Sequence, residues 1–424
     1  MLDLSLIRTN PSAVADAMRV KGIGDPSIVD RIVDLDVRQR ECVTQLQQLQ
    51  AESNSSAKKI GELMRSGRRD EASPLIKANA DAKEKLQELE ADSRTLSDEL
   101  DDLLLELPNI PHESVPVGAT PEENVTIGEF GERPSFDFDP KPHWELLEIH
   151  GLVDFARGSK VTGAGFPFYI GKGASLQRAL INFFLDEAGR KGYTELQTPI
   201  VVNEDSARGT GQLPDKEDQM YVVARDEFFL IPTAEVPVTN FHREEIFAEA
   251  DLPKQYAAYT PCFRREAGSY GSDVRGLNRL HQFDKVELVK FVHPDASYDE
   301  LESLREDAED LLRKLKLPYR RLLMCTGDMG FTQAKKYDLE IFSGGQNRWL
   351  EVSSISNFEA FQARRSRIRF KPSAGGQPRP LHTLNGSGLA LPRIVAGILE
   401  NYQTADGSIT IPDVLVPYTG FVSI

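Results

Sequence analysis

Apolar and small side chains recur with a 3.5-residue period over two long stretches of the chain, and this repeat constrains the fold more than any other feature. The stretches cover residues 28–63 and 75–107, with Gly67 in the segment between them. Such a repeat is typical of coiled-coil helices, because it keeps one seam of each helix facing its partner. The sequence therefore predicts a long antiparallel helical hairpin over about residues 28–107.

Folding the second stretch back onto the first gives a single register along this hairpin. Leu49 would pair with Leu89, and Ser53 would face Leu86. Small and polar residues near the tip should let the two helices approach closely and make their packing less stable there. At about 1.5 Å per residue, the arm would span roughly 50–60 Å.

The hairpin is too long to bury itself in a compact core, which leaves two interpretations open. It is either an oligomerisation coiled coil or a probe that reaches a large partner. Basic residues near its tip would attract a polyanion, although a solvated charged face would look similar. These candidate polyanion-binding residues are Lys58, Lys59, Arg65, Arg68, Arg69 and Lys77.

Composition limits the function classes. The net charge of −16 argues against a general nucleic-acid binder but allows a local basic patch. No apolar run approaches the ~20 residues that span a bilayer, and the N-terminal segment lacks a basic stretch followed by a long apolar core. The three cysteines are far apart and the histidines form no His-x-x-x-His pair, so we expect no zinc site. A cytoplasmic protein without a membrane partner is the expectation.

After the hairpin, the pattern predicts a connector and then a large mixed domain. Prolines from Pro108 onward end the second helix, and we expect domains at 1–108, 109–160 and 161–424, with one helix around residues 144–157 in the connector. The later elements are a helix at 174–191, strands at 195–202, 228–231, 283–291 and 348–352, and a last long helix beginning near Leu389. Strands and helices do not alternate strictly, which favours a mainly antiparallel sheet with flanking helices.

The segment from Pro261 to Lys290, PCFRREAGSYGSDVRGLNRLHQFDKVELVK, carries the clearest chemical signal. Strand alternation would place Phe283 and Glu287 on one face, roughly 13 Å apart, with Lys285 and Val289, while Val286 and Leu288 lie on the other face. This spacing suits an extended ligand with a flat ring at one end and an ammonium group at the other. Arginines facing the strand could neutralise a phosphate between those ends, as in an aminoacyl-adenylate.

Three segments resemble the motifs of a known enzyme class. They are Gly192–Val201 (GYTELQTPIV), Cys262–Gly268 (CFRREAG) with its continuation through RGL to HQFDKVE, and Asn385–Arg393 (NGSGLALPR). These resemble motifs 1, 2 and 3 of the class II aminoacyl-tRNA synthetases. Together with Thr233-Ala234-Glu235 and the helical arm, they make the whole chain similar to the bacterial-type seryl-tRNA synthetase family. The resemblance implies an α+β fold, in which an N-terminal antiparallel coiled-coil hairpin precedes a class II catalytic domain built on a mainly antiparallel sheet.

The resemblance also assigns the ATP site. Arg264 would bridge the α-phosphate and the amino-acid carboxylate, Arg393 would meet the γ-phosphate, and Phe283 would stack on adenine. The chain has no Gly-rich phosphate loop of the usual kinds, so side chains must contact the phosphates. The full set of expected ATP-binding residues is Arg264, Arg265, Glu266, Phe283, Glu351, Val352, Ser353, Ser354 and Arg393.

The same resemblance implies a magnesium site and a serine pocket. Glu351 and Ser354 match positions that hold Mg²⁺, an ion that prefers hard oxygen ligands. The expected serine-binding residues are Thr233, Ala234, Glu235, Arg264, Glu287 and Ser387. Activation by attack of a carboxylate on the α-phosphorus requires no general base, so the expected catalytic groups are the two arginines, Arg264 and Arg393.

The implied partners are L-serine, tRNA(Ser), the selenocysteine tRNA where one exists, and a second copy of the chain in a homodimer. Two alternatives remain open: a ligase that loads a small amino acid onto a carrier protein, and a catalytically silent binding protein. Four positions depart from the family pattern, namely Arg265, Val274, Phe358 and Ala360. None of them removes a ligand carried over from the family, although they leave the geometry around adenine open.

Overall fold

The computed structural model describes residues 1–266 and 275–424, which form two compact units. The helical unit comprises residues 2–19 and 23–107, and the sheet unit comprises Met1, residues 20–22 and residues 108–424. The departure at Val274 lies outside the described residues. The helices are α1 (Leu4–Thr9), α2 (Pro11–Lys21), α3 (Ile28–Arg65), α4 (Arg69–Leu105), α5 (His143–Ile149), α6 (Phe155–Val161), α7 (Lys172–Arg190), α8 (Glu204–Thr210), α9 (Glu235–Asn240), α10 (Ser297–Lys314), α11 (Phe361–Arg365), α12 (Leu391–Asn401) and α13 (Val416–Thr419).

The helical unit contains the predicted hairpin. Helix α3 has 38 residues, a length of about 57 Å, and α4 packs against it after the turn at Ser66–Arg68. Its seam buries apolar residues such as Ile32, Leu35, Leu89 and Leu100. The coiled-coil prediction is therefore confirmed.

The predicted register of this hairpin is wrong by one heptad. Leu89 lies beside Cys42, whose Sγ is 3.5 Å from the Leu89 carbonyl oxygen, instead of beside Leu49. Likewise Ser53 Oγ donates a 2.7 Å hydrogen bond to Asn79 Oδ1 instead of facing Leu86. Because the seam repeats every seven residues, such a shift keeps the same residues in the seam. The prediction began the second helix near Leu75, whereas α4 begins at Arg69.

The sheet unit is built on a central β-sheet with helices packed against it. The strands are β1 (Val125–Phe130), β2 (Val153–Asp154), β3 (Phe168–Tyr169), β4 (Thr194–Glu195), β5 (Val201–Val202), β6 (Tyr221–Val223), β7 (Phe228–Leu230), β8 (Ile246–Ala248), β9 (Lys254–Phe263), β10 (Gln282–Val292), β11 (Tyr319–Leu323), β12 (Lys335–Ser343), β13 (Arg348–Asn357), β14 (Arg369–Lys371), β15 (Arg379–Pro380) and β16 (His382–Ala390). Within the described residues, the largest sheet has the order β1-β11-β12-β13-β16-β10-β9-β4. All its neighbours are antiparallel except the β4–β9 pair, which confirms the predicted fold class.

The central strand β10 follows the predicted alternation. Val286 and Leu288 join the main core, together with apolar residues of α7, α10 and α12. Lys285 and Glu287 point to the other face, where Glu287 lies opposite Ser387 of β16. The strand therefore separates the core from the face that carries the candidate site.

Two local predictions are wrong. The single helix expected around residues 144–157 is split into α5 and α6, because Gly151 adopts a φ of +60° between them. The strand expected at 195–202 is reduced to β4 and β5, since Pro199 cannot donate a backbone hydrogen bond in the middle of a strand. The strand predicted at 348–352 begins where expected but continues to Asn357 as β13. The remaining predicted elements appear with shifts of one or two residues, and β16 extends past Leu389 to Ala390 before α12 begins.

The Ser53–Asn79 hydrogen bond gives a prediction for the arm. Replacing both residues, Ser53→Leu with Asn79→Leu, should stabilise the hairpin by ~1 kcal/mol or more, because apolar side chains replace a partly buried polar pair in the seam. Hydrogen exchange of amides in α3 and α4 of the full chain measures this effect. Asn79→Leu alone should protect the amides less than the double variant, and the exposed Ser55→Leu is the matched control. Equal protection from the single and double variants would contradict the role of this bond.

Candidate active site

A polar cavity of about 390 Å³ lies beside the face of β10 that carries Lys285 and Glu287. Its wall comes from β10, β12, β13 and β16, with the segments before α9 and after β9 and the start of α12. Most of the predicted site residues line it, although they are far apart in the sequence. Those that do are Thr233, Glu235, Arg264, Glu266, Phe283, Glu287, Glu351, Val352, Ser353, Ser354, Ser387 and Arg393.

Two predicted residues of the sheet unit are not on this wall. Ala234 is fully buried and packs in a separate apolar cluster with Val238 and Phe247. Arg265 has an exposed side chain, and its backbone N–H donates to the Gln219 carbonyl oxygen at 2.9 Å. The six basic candidates of the arm belong to the helical unit, where all of them are exposed.

One end of the cavity is acidic. Glu235 and Glu287 are both buried, and Asn385 Nδ2 donates to Glu235 Oε2 at 2.7 Å and to Glu287 Oε1 at 3.1 Å. Lys285 forms an ion pair with Glu287 and donates to Thr233 Oγ1 at 2.8 Å. Two carboxylates therefore share one lysine and one amide, a set that leaves this end of the cavity negative when both are ionised.

The crowding of carboxylates affects the titration of Glu235. Burial, reinforced by the neighbouring Glu287 carboxylate, raises the pKa of Glu235 to about 7. The hydrogen bond from Gln362 Nε2 to Glu235 Oε1, at 2.6 Å, acts in the opposite direction but does not outweigh them. A cation entering this end of the cavity would favour the ionised carboxylate.

Arg264 lies in the middle of the site. Its Nε donates to the Pro232 carbonyl oxygen at 3.3 Å, and its guanidinium lies 5.2 Å from the centre of the Phe283 ring. Nearby, Glu266 pairs with Arg279, and both line the cavity. One face of Phe283 is thus covered by Arg264, so a stacked base would have to use the opposite face.

The third region of the site combines Arg393 with Glu351. Arg393 Nη1 donates to the Glu351 carbonyl oxygen at 2.7 Å and lies 3.8 Å from its Oε2. Although burial acts to raise it, the pKa of Glu351 is held below its ordinary value by Arg393 and Lys336. This carboxylate therefore stays ionised beside two cationic side chains.

Oxygen atoms next to Glu351 fit a hard divalent cation. Asp338 is paired with Ser354 across β12 and β13, and its Oδ1 is buried without a hydrogen-bond partner in the described part of the chain. Burial is the main cause that raises the pKa of Asp338 to about 7, and the Glu351 carboxylate adds to it. Excess negative charge and an unpaired oxygen are both features that a bound cation would relieve.

Several residues of the site were not singled out from the sequence. Lys285 and Asn385 connect the two glutamates, Asn278 and Arg279 line the cavity after motif 2, and Lys336 lies beside Asp338 at 3.3 Å. The alternation of side chains along β10 could have indicated Lys285, since it places this lysine on the site face between Phe283 and Glu287. Asn385 and Lys336 are brought in by long-range strand pairing, and Asn278 and Arg279 by the packing of the segment before β10; no local pattern reveals either.

The described residues contain no group of three or more His, Cys, Asp or Glu side chains that could hold a metal ion unaided. Cys42, Cys262 and Cys325 are buried and unpaired with one another. In the part of the chain that the structure covers, none of the helices combines the length and apolar character required to cross a membrane.

Comparison with known proteins identifies the family. A model of the seryl-tRNA synthetase N-terminal domain matches residues 1–111, and a model of the class II tRNA synthetase core domain (G, H, P, S and T) matches residues 221–402. The serine–tRNA ligase of Salinibacter ruber is 59% identical over 424 residues, which cover 100% of this chain and 99% of that protein. The chain belongs to the seryl-tRNA synthetase family. It is therefore a class II aminoacyl-tRNA synthetase.

Solved structures of seryl-tRNA synthetases share the whole fold. The enzyme from Pyrococcus horikoshii, determined in complex with ATP, is 38% identical and superposes with a TM-score of 0.94 over 100% of this chain and 99% of that one. The cytoplasmic serine–tRNA ligase of Naegleria fowleri, in complex with AMP, is 27% identical with a TM-score of 0.88, covering 100% and 98% of the two chains.

Two departures from the seryl-tRNA synthetase pattern lie away from the cavity. Phe358 is buried, and its carbonyl oxygen accepts a 2.9 Å hydrogen bond from Asn109 Nδ2. Ala360 precedes α11 and is partly buried. Neither side chain is on the cavity wall, so each substitution changes packing behind the site rather than a contact within it.

The raised pKa of Glu235 predicts how the stability of the free protein depends on pH. Between about 4.5 and about 7 the folded chain binds more protons at this site than the unfolded chain, so stability falls as pH rises through this window. Glu235→Gln should remove this loss, and the difference in unfolding free energy between variant and wild type should shift by up to ~3 kcal/mol from pH 4 to pH 8. Denaturant unfolding at several pH values measures it.

The exposed Glu132→Gln is the matched control for this experiment, because it makes the same chemical change outside the cavity. Its difference from wild type should vary little with pH. A Glu235→Gln difference that is equally flat would show that Glu235 titrates normally in the folded protein.

Proposed function

We propose that the chain activates L-serine with ATP to form seryl-adenylate and then transfers the seryl group to the 3′ end of tRNA(Ser). The observation that carries this proposal is one cavity with paired carboxylates at one end, Arg264 and Phe283 in the middle, and Arg393 beside Glu351 in its third region. These three regions match, in turn, the ammonium group of serine, the α-phosphate and adenine of ATP, and the γ-phosphate of ATP with its cation. The ATP and AMP complexes of the relatives support the same substrate.

In this proposal the acidic end binds serine. Glu235 and Glu287 would accept from the ammonium group, while Ser387 and Thr233 would contribute hydroxyl groups near the substrate. Alanine or glycine would leave these buried polar groups without their partner, and this discriminates against them. Binding of the ammonium also requires ionised carboxylates, so it would draw Glu235 out of its neutral form.

Activation requires alignment of two anions rather than proton transfer. Arg264 would lie between the serine carboxylate and the α-phosphate, lowering their repulsion and stabilising the charge that develops on phosphorus. Arg393 would contact the γ-phosphate, and pyrophosphate would leave. Adenine would stack on the face of Phe283 opposite Arg264, with Glu266 near its edge.

The residues around Glu351 fit Mg²⁺. Glu351 and Ser354 would hold the ion, with Asp338 adjacent to them in the structure. The ion, when bound, neutralises charge on the ATP phosphates. Three or more protein carboxylates are not required, because Mg²⁺ usually shares its coordination with substrate phosphates and water.

We assign the arm, residues 1–108, to tRNA binding, residues 109–160 to a connector and residues 161–424 to catalysis. Exposure of all six basic candidates of the arm supports contact with a polyanion. Serylation of tRNA(Sec), where one exists, belongs to the same proposal. We also propose a cytoplasmic homodimer that uses motif 1, where Ile200 and Val201 are exposed apolar residues.

Amino-acid-dependent ATP–pyrophosphate exchange without tRNA tests the activation step. Serine should support exchange well above alanine, glycine, threonine and cysteine. Arg264→Ala should lower the rate roughly 10²- to 10³-fold, since it removes a preorganised charge at the reacting phosphate. The exposed Arg225→Ala is the control with unchanged activity.

The outcomes of this assay separate the alternatives. Exchange with glycine or alanine instead of serine would indicate a carrier-protein ligase, and no exchange with any of these amino acids would indicate a silent binding protein. Wild-type activity in Arg264→Ala would contradict the catalytic assignment.

Charge reversal at the tip of the arm tests its role. Lys58→Glu with Lys59→Glu should lower aminoacylation of tRNA(Ser) roughly tenfold or more at moderate salt, while serine-dependent exchange without tRNA stays unchanged. Lys85→Glu is the control within the same arm, because Lys85 is exposed but pairs with Glu88 at 2.8 Å and lies away from the tip. An equal loss for both variants would indicate a general charge effect, and no loss for either would contradict a tip contact with tRNA.

A further inference from the structure

A buried histidine–glutamate pair lies outside the cavity wall. His143 at the start of α5 and Glu400 near the end of α12 have no exposed surface, and His143 Nδ1 lies 2.7 Å from Glu400 Oε1. Glu400 also accepts from the backbone N–H groups of His143, Gly345 and Gln346, at 2.8–3.1 Å, and from the Ser343 hydroxyl. This is an extensively hydrogen-bonded carboxylate for which the activation chemistry has no direct use.

The hydrogen bonds fix the tautomer of His143. The backbone N–H of Leu277 donates to His143 Nε2 at 2.9 Å, so Nε2 must carry the lone pair. The proton is then on Nδ1, where Glu400 accepts it. Gln346 Nε2 is 3.3 Å from Nδ1, but it donates to Glu400 Oε1 and Ser343 Oγ, each at 2.9 Å. Glu400 thus holds the imidazole in the one neutral form that can accept from Leu277.

Helix α5 contacts the segment that follows motif 2 at two further points. The Arg275 guanidinium lies 4.8 Å from the centre of the Trp144 ring. Gly276 has a φ of +65°, and a Cβ there would lie 2.4 Å from His143 Nε2. Residues 275–277 are therefore closely fitted to His143 and Trp144.

The next residue, Asn278, connects this contact to the cavity. Its carbonyl oxygen accepts from Arg393 Nε at 3.0 Å, and Arg393 is the arginine assigned to the γ-phosphate. Its side-chain Nδ2 donates to Gln346 Oε1 at 2.9 Å. Asn278 is thus held in two ways: His143 bonds the backbone of the preceding residue, Leu277, and Gln346 bonds the Asn278 side chain. Both His143 and Gln346 are hydrogen-bonded to Glu400.

We propose that His143, Gln346 and Glu400 are positioning residues for ATP: together they fix the Asn278 carbonyl that orients the guanidinium of Arg393. The inference rests on the proposed activation of serine with ATP. A guanidinium on a long side chain has many orientations, and a fixed carbonyl acceptor at Nε selects one in which Nη1 and Nη2 turn toward Glu351 and the cavity. Loss of these hydrogen bonds should weaken the binding of ATP without altering the acidic end of the cavity, which binds serine in the proposed function.

Two substitutions of the histidine separate its two hydrogen bonds. In His143→Asn the side-chain amide can still donate to Glu400 but cannot reach Leu277. In His143→Gln the longer side chain can place its carbonyl oxygen near the position of Nε2 and accept from Leu277. His242→Asn is the matched control, because His242 is also buried and bonds to a carboxylate, Glu245, and to a second side chain, Tyr256, in another part of the sheet unit.

Pyrophosphate exchange with varied ATP and varied serine is the test. His143→Asn should raise the KM for ATP roughly tenfold and leave the KM for serine within about twofold of wild type, because it leaves a buried N–H unpaired on the ATP side only. His143→Gln should recover most of the loss, and His242→Asn should match wild type. Gln346→Ala leaves the His143–Leu277 bond in place but removes the side-chain bonds of Gln346 to Asn278, Glu400, Ser343 and Arg348. It should raise the KM for ATP severalfold and provides the answer if thermal melting shows that His143→Asn does not fold.

Three results would overturn the inference. Both His143→Asn and Gln346→Ala could retain the wild-type KM for ATP. His143→Asn could raise both KM values together, as general loosening would, or His143→Gln could be as impaired as His143→Asn. Absence of exchange in the wild-type enzyme would instead overturn the proposed function on which the inference depends, so the two failures are distinguishable.

Discussion

The pleat of β10 is the constraint on which the rest of the sheet unit depends. Successive side chains of a strand must point to opposite faces, so Val286 and Leu288 enter the main core while Phe283, Lys285 and Glu287 line the cavity. A shift of one residue in its register would exchange these two sets and place a lysine and a glutamate in the apolar core. The site is therefore fixed by the same packing that stabilises the fold, and its spacing along the strand is set by backbone geometry.

The electrostatics of the cavity follow from this arrangement. Glu235 and Glu287 are held together in a buried place with one lysine, and the free protein responds by raising the pKa of Glu235 to about 7, chiefly through burial. In the proposed function, the ammonium group of serine would supply the missing positive charge and favour the ionised form of both carboxylates. In the same proposal, Arg264 and Arg393 would bind the negative phosphates in the rest of the cavity, and the His143–Glu400 pair would position Arg393 from outside the cavity wall.

Local patterns in the sequence predict much of this structure, and the limits have physical causes. The heptad repeat predicts the hairpin because a seam is a local property, but it does not fix the register, since a shift of one heptad keeps the seam and moves Ser53 from Leu86 to Asn79. Strand alternation predicts the cavity face of β10. The Asn385–Glu235 and His143–Leu277 bonds are not predictable in this way, because each joins residues more than a hundred positions apart, at distances set by tertiary packing alone.

The most direct test of this account is calorimetric binding of two non-hydrolysable adenylate analogues, seryl and alanyl, to the full chain. The account predicts that the seryl analogue binds at least ten times more tightly, since only its hydroxyl satisfies the buried polar groups around Glu235 and Ser387. It also predicts that Glu287→Gln weakens both analogues, because their ammonium groups are the same. Equal affinity of the two analogues for the wild-type protein would contradict the claim that this cavity is built to recognise serine.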